Sequence, residues 1–118
     1  MKIFFSVLLL SAIFLQACKT LTSQTFIEPG QSFVLGEGTH GAFRAKVKNT
    51  GTAAVEIARE SLEGNKTTVA VLAPGDETRV NIGNDTKAIF KNTGTEKATL
   101  NLYVSGDTGL SMASKSSE

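Results

Sequence analysis

The 118-residue chain has no tryptophan, one tyrosine, one cysteine, one histidine and two prolines. One cysteine, Cys18, excludes a disulfide within the chain. One histidine, His40, cannot assemble a multi-histidine zinc site. Charge of one sign is also missing: 12 basic side chains stand against 11 acidic ones. Such a balance gives no strong field for nucleic acid or an anionic surface, and no nucleic-acid partner is expected.

Motifs for chemistry are missing too. No nucleophile-elbow motif surrounds a serine. The glycines of Gly36-Glu37-Gly38-Thr39-His40-Gly41 precede no helix whose N-terminus would hold an anion, so His40 reads as an exposed loop histidine. Gly83-Asn84-Asp85-Thr86 lacks the oxygen-ligand spacing of a calcium loop and reads as a tight turn. Glu56, Glu60 and Glu63 read as solvated surface, with no aromatic platform for a glycosidase pair. The expectation is no catalytic residue, no metal and no cofactor.

What is present begins with the leader. Lys2 precedes an apolar run from Ile3 to Leu15, followed by Gln16-Ala17-Cys18. The run makes a helix of roughly 20 Å, too short for a bilayer core of about 30 Å. A short apolar run behind a basic residue has the form of a secretory signal. Leu15, Ala17 and Cys18 resemble the lipobox of bacterial lipoprotein signals; Gln16 departs from it. The resemblance implies that Cys18 receives a lipid and becomes the mature N-terminus. Lys19, where an aspartate often marks inner-membrane retention, then favours the outer membrane facing the periplasm.

The remainder is built twice. Glu28-Pro29-Gly30-Gln31 and Ala73-Pro74-Gly75-Asp76 are turns of one kind, proline presetting φ and glycine accepting a positive φ. Lys48-Asn49-Thr50-Gly51-Thr52 recurs letter for letter as Lys91-Asn92-Thr93-Gly94-Thr95. Two copies are too few for a solenoid and suggest two similar halves closing on each other.

Between the turns, side chains alternate as in strands. Phe43, Ala45 and Val47 oppose Arg44, Lys46 and Lys48; Ala98, Leu100, Leu102 and Val104 oppose Lys97, Thr99, Asn101 and Tyr103. Thr67–Leu72 is apolar on both faces after its first two residues and reads as a central strand. Phe26, Phe33, Phe43 and Phe90 read as core, with Tyr103 and Ile89 outward. The expected fold is an all-β, antiparallel sandwich of about eight strands behind a signal helix. Its parts are a signal peptide at 1–17, a spacer at 18–23, the sandwich at 24–105 and a flexible tail at 106–118. The two "KNTGT" and the "LAPGD" turns, each followed by a strand, resemble immunoglobulin-like modules of bacterial envelope proteins, though the Cys…Trp…Cys hallmark is missing.

The missing catalytic groups, the sandwich pattern and the Cys18 tether together lead to the expectation of a noncatalytic envelope lipoprotein that binds or spaces other components, anchored to the membrane through a lipid on Cys18. The alternatives are a module for a glycan or small ligand, and a secreted hydrolase inhibitor working through Gly36–Gly41. Arg44, Lys46 and Lys48 form a basic stripe which, with Tyr103, is the candidate binding face for an acidic glycan or protein. Lys87, Lys91 and Lys97 of the second copy are expected to join it if the halves are arranged alike.

Overall fold

The computed structural model describes residues 20–116. The signal helix and Cys18 lie outside the described residues.

Nine strands form: β1 Thr20–Ile27, β2 Gln31–Leu35, β3 Phe43–Asn49, β4 Val55–Ser61, β5 Lys66–Leu72, β6 Glu77–Ile82, β7 Thr86–Asn92, β8 Ala98–Gly106 and β9 Met112–Ser116. They make two antiparallel sheets, a front sheet in the order β1-β8-β3-β6 and a back sheet in the order β5-β4-β7-β2-β9. Raising each front-sheet strand number by four, cyclically over eight strands, turns the front order into β5-β4-β7-β2. The doubling seen in the sequence is therefore a doubling of the fold: each half contributes two strands to each sheet.

This strand order is a jelly roll, a double Greek key. It replaces the immunoglobulin-like arrangement expected from the turns. Alternation assigns faces but not neighbours, so the two sandwiches look alike in sequence. Both Pro-Gly turns close as expected: Gln31 N donates to Glu28 O at 3.0 Å and Asp76 N to Ala73 O at 3.0 Å. Gly30 and Gly75 sit at φ 76° and 89°, which costs glycine little.

The Asn-Thr-Gly turns end β3 in the front sheet and β7 in the back sheet. Asn49 and Asn92 are both buried. Gly51 follows Asn49 because a Cβ there would lie 2.8 Å from Thr99 N.

The core is one cluster between the sheets, including Phe33, Leu35, Phe43, Val47, Val55, Ile57, Ile82, Phe90, Leu100, Leu102 and Val104. Phe33 and Phe90 pack with ring centroids 6.1 Å apart. Each such side chain contributes about 1.5–3 kcal/mol on burial.

Four expectations are corrected. Phe26 pairs with Thr99 and faces outward, 53% exposed, because its neighbour Ile27 takes the inward position. Thr67–Leu72 belongs to an edge strand, not a central one. Its apolar run spans a bulge: Ile57 pairs with Ala70 and Ala58 with Thr68, which leaves Val69 without a partner. The proposed spacer is already in β1 from Thr20. The tail from 106 is not frayed throughout: Met112–Ser116 extends the back sheet beside β2.

Candidate functional site

The outer face of the front sheet gathers the sequence-predicted binding residues. Antiparallel register sets Arg44 beside Ser105, Lys46 beside Tyr103, and Lys48 beside Asn101. On the other side of β3, Lys46 faces Arg79 and Lys48 faces Glu77. Lys46 Nζ lies 5.9 Å from the centre of the Tyr103 ring, and Tyr103 is 55% exposed. Four cations, Arg44, Lys46, Lys48 and Arg79, thus share this face with one carboxylate, Glu77. That carboxylate reaches Lys46 at 3.6 Å.

A depression of about 460 Å³ opens on this face, lined by Thr20, Arg44, Lys46, Arg79, Tyr103 and Ser105 among others. Arg79 was not singled out in the sequence. Its signal was the alternation of β6, where Thr78, Val80 and Ile82 turn toward the core side. The second-copy lysines do not join the stripe. Lys87 and Lys91 lie on β7 of the back sheet, and Lys87 pairs with Glu60 at 3.0 Å. Lys97 stands over the exposed Phe26 ring at 5.2 Å. The two halves place corresponding strands in opposite sheets, which separates Lys87 and Lys91 from the stripe, whereas Lys97 precedes β8 and stays beside the front sheet at its Phe26 end.

Arg59 was also missed. Val55, Ile57 and Arg59 share one face of β4, and Arg59 pairs with the fully buried Ala88 of β7. An arginine thus occupies an inward register position at the mouth between the sheets. One of its guanidinium nitrogens donates to Asn81 O of β6 at 3.0 Å.

His40 is not the exposed loop histidine expected from its glycines. Its ring is half-buried against Phe43, with centroids 5.5 Å apart. Nδ1 lies 2.6 Å from Gly41 O, and Nε2 is shielded from solvent without a hydrogen-bond partner. Its backbone N donates to Asp85 Oδ1 at 2.8 Å. Gly41 N donates to Asp107 Oδ2 at 2.7 Å and Gly36 N to Ser111 O at 2.8 Å. The Gly36–Gly41 loop is therefore braced through Gly36, His40 and Gly41. The backbone N–H groups of Gly41 and Gly109, donating to Asp107, hold its carboxyl below the usual aspartate range. The Lys115 ammonium does the same for Glu37 by a hydrogen bond. Gly83–Thr86 is a turn as expected, with Asp85 at φ 56°.

Among the described residues, no three His, Cys, Asp or Glu side chains come together as metal ligands. The inward positions at the centre of the sandwich are aliphatic or aromatic. This donor set does not fit a metal between the sheets, and no step is derived through one.

No protein-family model matches the sequence, and no curated protein matches it either. Solved structures do share its fold. The capsular polysaccharide assembling protein CapF from Staphylococcus aureus superposes with a TM-score of 0.56 at 14% identity, over 74% of this chain and 24% of that one. The cupin domain of an XRE-family transcriptional regulator from Enterobacter cloacae gives 0.54 at 12% identity, over 77% of this chain and 85% of that one. A sugar phosphate isomerase of the cupin superfamily from Silicibacter pomeroyi gives 0.50 at 18% identity, over 75% and 51%. The chain spans about a quarter of CapF and about half of the isomerase. These likenesses establish a cupin-like jelly roll and correct the immunoglobulin-like expectation. The expectation of a noncatalytic module that binds or spaces other components is corrected as well, since the solved structures that share this fold include an isomerase.

Proposed function

We propose that this cupin-like domain binds an acidic sugar-class ligand on the outer face of its front sheet, centred on Lys46 and Tyr103. The observation that carries the reading is the register that sets three cations, Arg44, Lys46 and Arg79, and an exposed tyrosine around one depression whose lining holds no carboxylate. Lys46 and Arg79 stand directly opposite each other, an arrangement that destabilises a sheet by roughly 0.2–1 kcal/mol. A bound anion relieves that repulsion. The Tyr103 ring offers a flat apolar surface to a sugar ring and a hydroxyl at its edge. The depression is within the usual range for small-ligand sites, about 300–1,000 Å³. That CapF assembles capsular polysaccharide and that the isomerase acts on a sugar phosphate supports a saccharide ligand for the same fold here.

The leader supports a position for this activity. Leu15-Gln16-Ala17-Cys18 fits lipid attachment at Cys18, and Lys19 fits retention at the outer membrane. Intact mass of chain extracted from membranes checks this: an unmodified thiol at Cys18 would remove the anchor from the reading.

The binding reading is tested by titrating the purified full chain with acidic and neutral oligosaccharides. Acidic ones bind, more weakly as salt rises, and Tyr103→Ala and Lys46→Gln each lower affinity about tenfold, which is ~1.4 kcal/mol. Equal silence toward acidic and neutral oligosaccharides would sink it.

A further inference from the structure

A second depression, of about 480 Å³, adjoins the first and shares Arg44 and Ser105 with it. Its lining also includes Phe43, Arg59, Asn81, Ile82, Gly83 and Gly106, and it holds no acidic side chain. Arg44 comes from the outer face of the front sheet, whereas Arg59 reaches the same space from the inner face of the back sheet. Neither arginine makes an ion pair with a carboxylate of the described residues.

A guanidinium carries five N–H donors in a planar fork. One nitrogen of Arg59 donates to Asn81 O, which fixes the group at the mouth and leaves donors over. Arg59 takes an inward register position at the end of the sandwich, where its side chain is exposed to solvent and open to a ligand. Two uncompensated guanidinium groups on one depression repel, and the fork geometry suits an oxyanion taken bidentately. The Ser105 hydroxyl adds a further donor. Glycine closes the floor: a Cβ at Gly106 would lie 2.8 Å from Ala42 O, so β8 approaches β3 there only without a side chain.

We infer that Arg44 and Arg59 hold an oxyanion in this second depression, so that the ligand carries at least two anionic groups. Arg44 and Lys46 are two residues apart on one strand, a separation of about 7 Å. An oligosaccharide with a carboxylate on successive units fits such spacing, and a sugar with a single charge leaves one site unused. The ligand class rests on the reading above, whereas the oxyanion subsite stands on its own geometry.

Two measurements on the full chain separate them. The first follows the backbone amide resonances of Gly83, Ser105 and Gly106 while inorganic phosphate is added. These shift in the parent chain and lose saturation in Arg59→Gln. Arg59→Lys, which keeps the charge but not the fork, weakens phosphate by at least about threefold. The second compares galacturonic acid with its tetramer. Arg59→Gln weakens the tetramer about tenfold and leaves the monomer unchanged, whereas Tyr103→Ala weakens both. Absent phosphate shifts, or an unchanged tetramer affinity in Arg59→Gln, overturn the inference. Phosphate shifts with silence toward both sugars would leave the oxyanion subsite standing while removing the sugar ligand and, with it, the two-charge saccharide.

Discussion

Asn49 and Asn92 make the same three hydrogen bonds from opposite sheets. In each, Oδ1 accepts from the glycine two residues on, Gly51 at 3.1 Å and Gly94 at 2.9 Å. In each, Nδ2 donates to the carbonyl four residues on, Ala53 at 2.8 Å and Glu96 at 2.7 Å. Each Nδ2 also crosses to the other sheet or its edge, Asn49 to Leu72 O at 3.1 Å and Asn92 to Ile27 O at 2.8 Å. The repeated sequence therefore encodes a repeated clamp between the sheets.

The clamp needs an amide. Asn49→Ala leaves buried Ala53 and Leu72 carbonyls and the Gly51 N–H without partners, each worth about 1–3 kcal/mol when left unpaired. Asn49→Asp keeps the shape but removes both donors and aims a buried carboxylate at two carbonyl oxygens. Urea unfolding at pH 7 is expected to rank the parent above Asn49→Ala and Asn49→Ala above Asn49→Asp. An Asn49→Asp variant as stable as the parent would mean the amide donors contribute nothing.

The basic face is expected to trade stability for binding. Arg79→Gln removes the like-charge pair with Lys46 while keeping a long polar side chain. Stability at low salt rises by roughly 0.2–1 kcal/mol. The gain fades at 1 M salt, where screening acts over about 3 Å. Affinity for an acidic oligosaccharide falls in the same variant. Thermal unfolding at two salt concentrations, beside a binding titration, reads both signs. A variant that loses stability at low salt would show that Arg79 is held by something other than its charge environment.

Acid is expected to loosen the Gly41 and Asp107 loops first. The Asp107 carboxylate accepts from Gly41 N at 2.7 Å and Gly109 N at 2.9 Å, which lowers its folded pKa below 3.8. A depressed carboxyl contributes stability above its unfolded value, and the contribution is lost as pH falls through the folded one. Glu37, lowered by Lys115, behaves alike from a starting value of 4.5. Amide hydrogen exchange at Gly41 is therefore expected to accelerate, beyond the intrinsic pH trend, as pH drops below about 4. Asp107→Asn removes most of that dependence, because a carboxamide does not titrate near pH 4, although its Oδ1 still accepts one of the two hydrogen bonds. An unchanged acid profile in Asp107→Asn would assign the loosening elsewhere.

Much of this architecture was legible because turns and faces are local chemistry. Pro29-Gly30 and Pro74-Gly75 announce their own φ values, and the period of two along Phe43–Lys48 separates core from surface. Strand neighbours are not local, so nothing in Lys46 disclosed that Arg79 and Tyr103 would flank it. Phe26 and Ile27 are adjacent and both apolar, and only pairing with β8 decides which one faces in. Arg59 was legible in principle, two residues beyond inward Ile57, but its charge argued for the surface. The loops around His40 were opaque, since their braces come from Asp85, Asp107 and Ser111, each at least 45 residues away.

Strand β9 lies outside the twofold pattern, and its removal is expected to expose an edge rather than unfold the domain. The core cluster is supplied by the first eight strands and the loops between them, with Leu110 packed against it from the segment before β9. Truncation after Ser111 keeps that leucine and the Ser111 contacts to Gly36 and Glu37. It removes the Lys115 to Glu37 ion pair, which is partly exposed and weakened by solvent screening. It also strips the backbone partners from Gln31–Leu35, a strand containing Phe33, Val34 and Leu35. An apolar unpaired edge is a template for another chain. The truncated protein is expected to keep a cooperative unfolding transition yet elute as dimers or larger species at micromolar concentration, while the full chain does not enlarge under the same conditions. Loss of the transition would mean that β9 holds the core, and an unchanged elution volume would mean that the β2 edge is protected by other means.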